Sequence, residues 1–121
     1  MEVLRRIRKF LKTRTAEEIK SFEDALVKGY GFKKYLYATS EGLPVMGNFE
    51  GYEELSAKAP ELFKALSELE PAKKYTILGE KGGYLLVKVT PDVLLLAETS
   101  KKLSATEIEE LIERTKKELG L

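Results

Sequence analysis

Apolar residues recur along the chain with two different periods, and the changes between them mark out the elements. Over MEVLRRIRKFLK, Val3, Leu4, Ile7, Phe10 and Leu11 follow helical spacing. At about 100° per residue they fall within an arc of roughly 120°, with Arg5, Arg6, Arg8, Lys9 and Lys12 filling the other side. Thr13 to Thr15 interrupts the pattern, and Thr15 with Glu18 three residues on forms a capping box. The helix it opens should bury Ile19, Phe22 and Leu26 and stop at the Gly-Tyr-Gly of residues 29–31. YLYATSEGLPVMGN then reads as a hairpin, with strands near Lys34 to Thr39 and Leu43 to Gly47 and a turn around Ser40 to Gly42. Gly42 supplies the positive φ that a tight turn needs. Pro44 lacks a backbone donor and marks the second strand as an edge.

Residues 51–69 form a helix with Tyr52, Leu55, Ala59, Leu62, Phe63, Leu66 and Leu69 on one stripe. Pro60 removes the bond to Ser56, so a kink or a restart is expected near Lys58. KYTILGE, YLLVKVT and VLLLAET follow as a three-strand meander joined by KGG and TPD turns. The last two are apolar almost without alternation and should be covered on both faces. Ser104 and Glu107 open a final helix that turns Leu103, Ile108, Leu111, Ile112, Thr115 and Leu119 inward and ends at Gly120.

In the meander, strand 84–90 lies between its neighbours. VLLLA, the more apolar outer strand, is placed inside the sheet beside strand 34–39, which leaves KYTILGE at the rim. Tyr75 to Leu78 holds no proline or charge of the kind that blunts an exposed edge. An unblunted edge beside an apolar helix suits a symmetric dimer interface. The alternative is that a loop or helix 51–69 covers that edge within the monomer.

Composition narrows the chemistry. At 121 residues, 43% apolar and 34% charged, the chain is an ordinary single globular domain. It has no cysteine and no histidine, which removes disulfides, thiolate metal sites and the commonest general base. The richness in Glu and Lys suits a protein from a hot environment. No run approaches the roughly 18 apolar residues of a membrane span. The N-terminal apolar residues are interleaved with charges, unlike a signal peptide. The expectation is a cytoplasmic protein, peripheral at a membrane if its basic helix engages one. No cofactor or metal is implied.

GEKGGY invites a phosphate-loop reading, but its glycines join two strands and no Gly-Lys-Ser/Thr follows. The adjacent pairs Glu53/Glu54 and Glu109/Glu110 diverge by about 100° on a helix and do not converge on one atom. Ser40 and Ser56 have no histidine to activate them, and nothing favours a serine-lysine dyad.

The order of elements, with Gly42-Leu43-Pro44-Val45 in the hairpin, resembles the roadblock / dynein light-chain family over about residues 15–119. The resemblance implies an α+β fold: a five-stranded antiparallel sheet with one helix on one face and two on the other. It implies homodimers paired through the third strand and the preceding helix, which act as non-enzymatic regulators or scaffolds for small Ras-like GTPases. By position, the dimer surface maps to Leu55, Ala59, Leu62, Phe63 and Leu66 with Tyr75 and Ile77. Glu41 in place of the usual Asp, Pro60, and the basic helix are departures from the family pattern.

The chain thus divides into a basic amphipathic segment, 1–14, and a roadblock-like domain, 15–121. Residues 1–14 carry six basic side chains against Glu2 alone, a net of +5, and the remainder nets −4. Arg5, Arg6, Arg8, Lys9 and Lys12 are candidate contacts to a partner or to an anionic membrane surface. In the membrane reading the apolar arc is immersed. In the alternative it docks on the domain or on a partner's helix. Nucleic acid is disfavoured, because the body is acidic and no aromatic stacking set accompanies the arginines.

Overall fold

The computed structural model describes residues 2–121; Met1, which begins the basic segment, lies outside them. Four helices, α1 (Glu2–Leu11), α2 (Ala16–Asp24), α3 (Tyr52–Leu69) and α4 (Ala105–Leu119), accompany one sheet. Its strands are β1 (Phe32–Thr39), β2 (Pro44–Gly47), β3 (Lys74–Leu78), β4 (Gly83–Thr90) and β5 (Val93–Thr99). All pairs are antiparallel and the order is β2-β1-β5-β4-β3, with β3 at one rim as the apolar ranking of the strands requires. The fold is α+β.

Local chemistry explains most boundaries. Both capping boxes form, Thr15 with Glu18 and Ser104 with Glu107. Each glutamate sits below the usual carboxylate range because it accepts from the cap residue's backbone N–H. Gly42, at φ 90°, closes the β1–β2 turn, and a Cβ there would lie 3.1 Å from the Ala57 backbone, so only glycine lets the turn tuck under α3. Three expectations are corrected. The second helix passes at Asp24 into a π-helical turn, Ala25–Gly29, and β1 begins two residues earlier than its pattern suggested. Helix α3 runs uninterrupted through Pro60, with no restart at Lys58. A single carbonyl loses its donor, while Ala59 and Phe63 on either side are anchored in the core.

The sheet has two differently used faces. Tyr35, Tyr37, Leu85, Val87, Val93, Leu95 and Ala97 join the main core with residues from α1, α2 and α4. On the opposite face Leu86 and Leu94 pack with Ala59 and Phe63 of α3. The Tyr37 and Thr115 hydroxyls meet at 2.8 Å, both fully buried, so this pair closes the polar accounting at the core's centre.

Burial pushes the Tyr35 and Tyr37 phenols well above their ordinary range, and the hydrogen bond from Tyr35 to Glu23 adds to the shift at Tyr35. A phenol whose folded pKa exceeds its unfolded value of about 10 keeps its proton longer in the native state, so stability falls as pH rises beyond about 10. In an alkaline titration Tyr35 and Tyr37 should ionise only as near-UV circular dichroism is lost. Full ionisation of all six tyrosines in the intact fold would contradict this packing.

Candidate interaction surfaces

The rim strand supplies the first surface. Along β3 the bonds Lys88 N–H to Lys73 C=O and Gly79 N–H to Gly82 C=O both lie in the β3–β4 register. Hydrogen-bonded pairs alternate in an antiparallel ladder, so residues 73, 75, 77 and 79 spend their backbone groups on β4. The N–H and C=O groups of Lys74, Thr76 and Leu78 therefore point away from the sheet. Neither a proline nor a bulge interrupts them.

Tyr75 and Ile77 lie on the α3 face of this strand, in register with Leu86 and Tyr84. The Tyr75 ring packs edge-on against Phe63, 5.3 Å between centroids, and its hydroxyl is held by the Glu70 carbonyl and the Ala72 N–H. Both side chains remain half-buried.

Helix α3 divides its own apolar stripe. At about 100° per residue, Ala59, Phe63 and Ser56 cluster toward one side of the stripe and Leu62 and Leu69 toward the other. Burial follows that division: Ala59 and Phe63 are 1% and 7% exposed, whereas Leu62 and Leu69 are 39% and 84% exposed. Leu55 and Leu66 lie between. Of the residues mapped from sequence to a dimer surface, Ala59 and Phe63 sit on the chain's own sheet, and Leu55, Leu62, Leu66, Tyr75 and Ile77 keep accessible surface. Leu69 and Leu78 (84% exposed) are apolar surface residues outside that set. For Leu78 the signal was present as the last apolar residue of a rim strand.

Two clefts flank these elements. One of about 360 Å³ lies between α3 and β4, where the Lys88 ammonium sits 4.9 Å from the centre of the Phe63 ring. The other, about 540 Å³, lies between the β3–β4 rim and the start of α4, lined by Leu78, Leu85, Leu103 and Ile108 with Lys101 and Lys102.

The basic helix supplies the second surface. Its arc is docked on the domain: Val3, Leu4 and Ile7 are buried, Ile7 completely. Phe10 packs over Gly120, whose left-handed conformation closes α4; a Cβ there would fall 2.4 Å from the ring. Arg14 ties the segment down, with its guanidinium 2.6 Å from Glu118, 3.4 Å from Glu18 and over the Phe10 ring. Arg5, Arg6, Arg8, Lys9 and Lys12 are all exposed. The apolar arc is therefore already spent on the protein's own core, and the membrane reading that immerses it is corrected.

The remaining sequence motifs are structural. GEKGGY is the two-residue hairpin between β3 and β4, Ser56 is buried with its hydroxyl on the Tyr52 carbonyl, and Glu53, Glu54, Glu109 and Glu110 face solvent. Among the described residues no three His, Cys, Asp or Glu side chains group as metal ligands, and no helix is long and apolar enough to cross a membrane.

Comparison with known proteins agrees with this architecture. No protein-family model matches the chain. An uncharacterized protein of Archaeoglobus fulgidus is 33% identical over 94 residues, 78% of this chain but 56% of that protein, so the chain spans little more than half its relative's length. Among solved structures, MglB of Myxococcus xanthus superposes with a TM-score of 0.63 at 17% identity, covering 85% of each chain. The roadblock/LC7 domain from Streptomyces avermitilis gives 0.57 at 18%, covering 84% of this chain and 99% of that one. At these identities the likeness is one of backbone architecture, and it extends over most of the molecule. The chain has the roadblock/LC7 fold, shared with MglB.

Proposed function

We propose that this protein is a non-enzymatic homodimeric scaffold or regulator, cytoplasmic, whose paired α3 helices form a platform for a small Ras-like GTPase. The observation that carries the dimer is the bare outer ladder of β3, with Lys74, Thr76 and Leu78 offering backbone groups beside the apolar flank of α3.

Ladder parity restricts the pairing. Only outward-facing residues can exchange hydrogen bonds across a two-fold axis, so the axis passes beside a residue and not between two. Axes beside Tyr75, Thr76 or Ile77 are the ones that join more than one pair of β3 residues. Centring on Thr76 overlaps the whole of Lys74–Leu78. It also sets Tyr75 of each protomer opposite Ile77 of its partner, covering two half-buried apolar side chains twice over. In one continuous antiparallel sheet the axis stands perpendicular to the sheet. Both α3 helices then share one face, with Leu62 and Leu69 available to the partner or to the platform.

The GTPase assignment rests on the roadblock resemblance, and regulation requires that the platform prefer one nucleotide state. Light scattering during size exclusion should give twice the chain mass of 13.7 kDa at micromolar concentration; a monomer overturns the platform. Adding the protein to a co-purified GTPase should change its nucleotide exchange or hydrolysis rate. Unchanged rates with binding intact restrict the function to scaffolding.

A further inference from the structure

We propose that the outer face of α1 is a docking surface for an anionic phospholipid bilayer, used with the helix folded onto the domain and its apolar side kept inside. The contact is electrostatic and lies on the surface of the membrane.

Charge is the first support. Arg5, Arg6, Arg8, Lys9 and Lys12 cover about 160° of the helix, centred opposite the fully buried Ile7, and Glu2 is the single carboxylate on that side. Among the described residues the ion pairs engage Arg14, Lys101 and Lys116 and none of these five cations. Arg14, the sixth basic residue of the segment, is neutralised by Glu118 and Glu18, so the segment sorts its cations into one that anchors and five that remain available. A solvated cluster of five like charges on one short helix costs self-repulsion that an anionic surface relieves.

Shape selects the occupant. Neither of the two clefts described above is lined by an α1 residue, so neither offers this face a seat for a peptide anchor or a nucleobase. Phe10, the helix's aromatic residue, is packed on Gly120 and does not accompany the cations. What remains is a convex array of cations able to meet a fluid sheet of headgroups without matching a fixed pattern of acceptors.

Topology adds a second copy. Helix α1 packs against β2 and α4, on the sheet face opposite α3. With the two-fold axis perpendicular to the sheet, both α1 helices lie on one side of the dimer. They sit toward the β2 ends, about 40 Å apart across ten strands. Where one bilayer engages both helices, this bivalency multiplies the avidity. The α3 platform faces away from the membrane and stays open. The strength of binding rests on the proposed dimer; its headgroup dependence does not.

Co-sedimentation of the full chain with phosphatidylcholine vesicles carrying about 30% phosphatidylserine should show binding that pure phosphatidylcholine vesicles do not. Binding should fall steeply as salt rises past about 0.15 M. The exposed triple change Arg5→Gln, Arg8→Gln, Lys12→Gln should lower affinity about a hundredfold for each engaged helix, at about fivefold per cation, with the thermal transition unchanged. Conservative replacement by lysine at both arginines should keep binding. Equal pelleting with the uncharged vesicles, undiminished binding of the triple variant, or tighter binding to duplex DNA than to the vesicles would overturn the proposal. Light scattering on the same samples reports the dimer separately: vesicle binding by a monomer keeps the lipid surface and removes the platform, whereas a dimer that ignores the vesicles does the reverse.

Discussion

Replacing Thr76 with proline is expected to weaken self-association by about a hundredfold or more while leaving the protomer folded. The Thr76 N–H points out of the sheet, since the bonds from β3 to β4 fall on residues 73, 75, 77 and 79. Proline is tolerated on an edge strand where the missing donor would have faced solvent. In the proposed dimer the same substitution removes both bonds of the central Thr76–Thr76 pair and places a ring where the partner strand must approach. Two bonds at about 1 kcal/mol each, with the steric term, amount to about 3 kcal/mol, and each 1.4 kcal/mol is tenfold. Sedimentation velocity over a dilution series measures the shift, with Thr76→Val as the control that retains the N–H. The absence of native cysteine offers a direct check on register. In a Thr76→Cys variant the two Cα atoms of a hydrogen-bonded pair would lie about 5.5 Å apart, within disulfide reach. An unchanged dissociation constant in Thr76→Pro, together with no cross-link in Thr76→Cys, would place the contact elsewhere.

Replacing Phe63 with alanine should act on a different quantity. Phe63 fills the space between α3 and the sheet, touching the Tyr75 ring edge-on and carrying the Lys88 ammonium over its face. Deleting a buried phenylalanine costs about 3–5 kcal/mol, from lost transfer energy and the cavity left behind. That is a large part of the 5–15 kcal/mol typical of a domain. The loss should appear in urea unfolding of the Thr76→Pro protomer as fully as in the parent chain, because Phe63 packs within its own subunit. Leu62→Ala should do the opposite, with little effect on protomer stability and a weaker dimer. If Phe63→Ala leaves the protomer's unfolding midpoint in place, its assignment to the α3–sheet core is wrong.

Binding by the α3 platform and binding by α1 lie on opposite faces of the sheet, so the two proposals do not compete for surface. A folded, docked α1 holds its cations in a fixed array, and no helix has to form at the membrane. The cost of ordering that segment is met during folding by Ile7 and its neighbours.

Elements and their order were legible in the sequence because they follow from local rules. Period, capping boxes and turn residues each act within a few positions, and they placed α1 to α4 and the five strands nearly where they lie. Sheet order was legible too, since the apolar ranking of VLLLA above KYTILGE says which strand belongs inside. The same ranking put a bare strand at the rim, and with it half of the candidate site. The π-helical turn after Asp24 and the unbroken passage through Pro60 were not legible. Packing against the core holds both against what the local sequence prefers. Nor did periodicity distinguish Phe63 from Leu62. An apolar stripe states that a helix has a side to bury, while the line of contact within that stripe depends on where the sheet meets it. For α1 the pattern established an apolar arc and a basic arc but not what covers the first. Only the assembled fold, with Phe10 on Gly120 and Arg14 on Glu118, settled that the arc is internal and that five cations are left facing out. Burial is a relation between distant segments, and no periodicity within one segment encodes it.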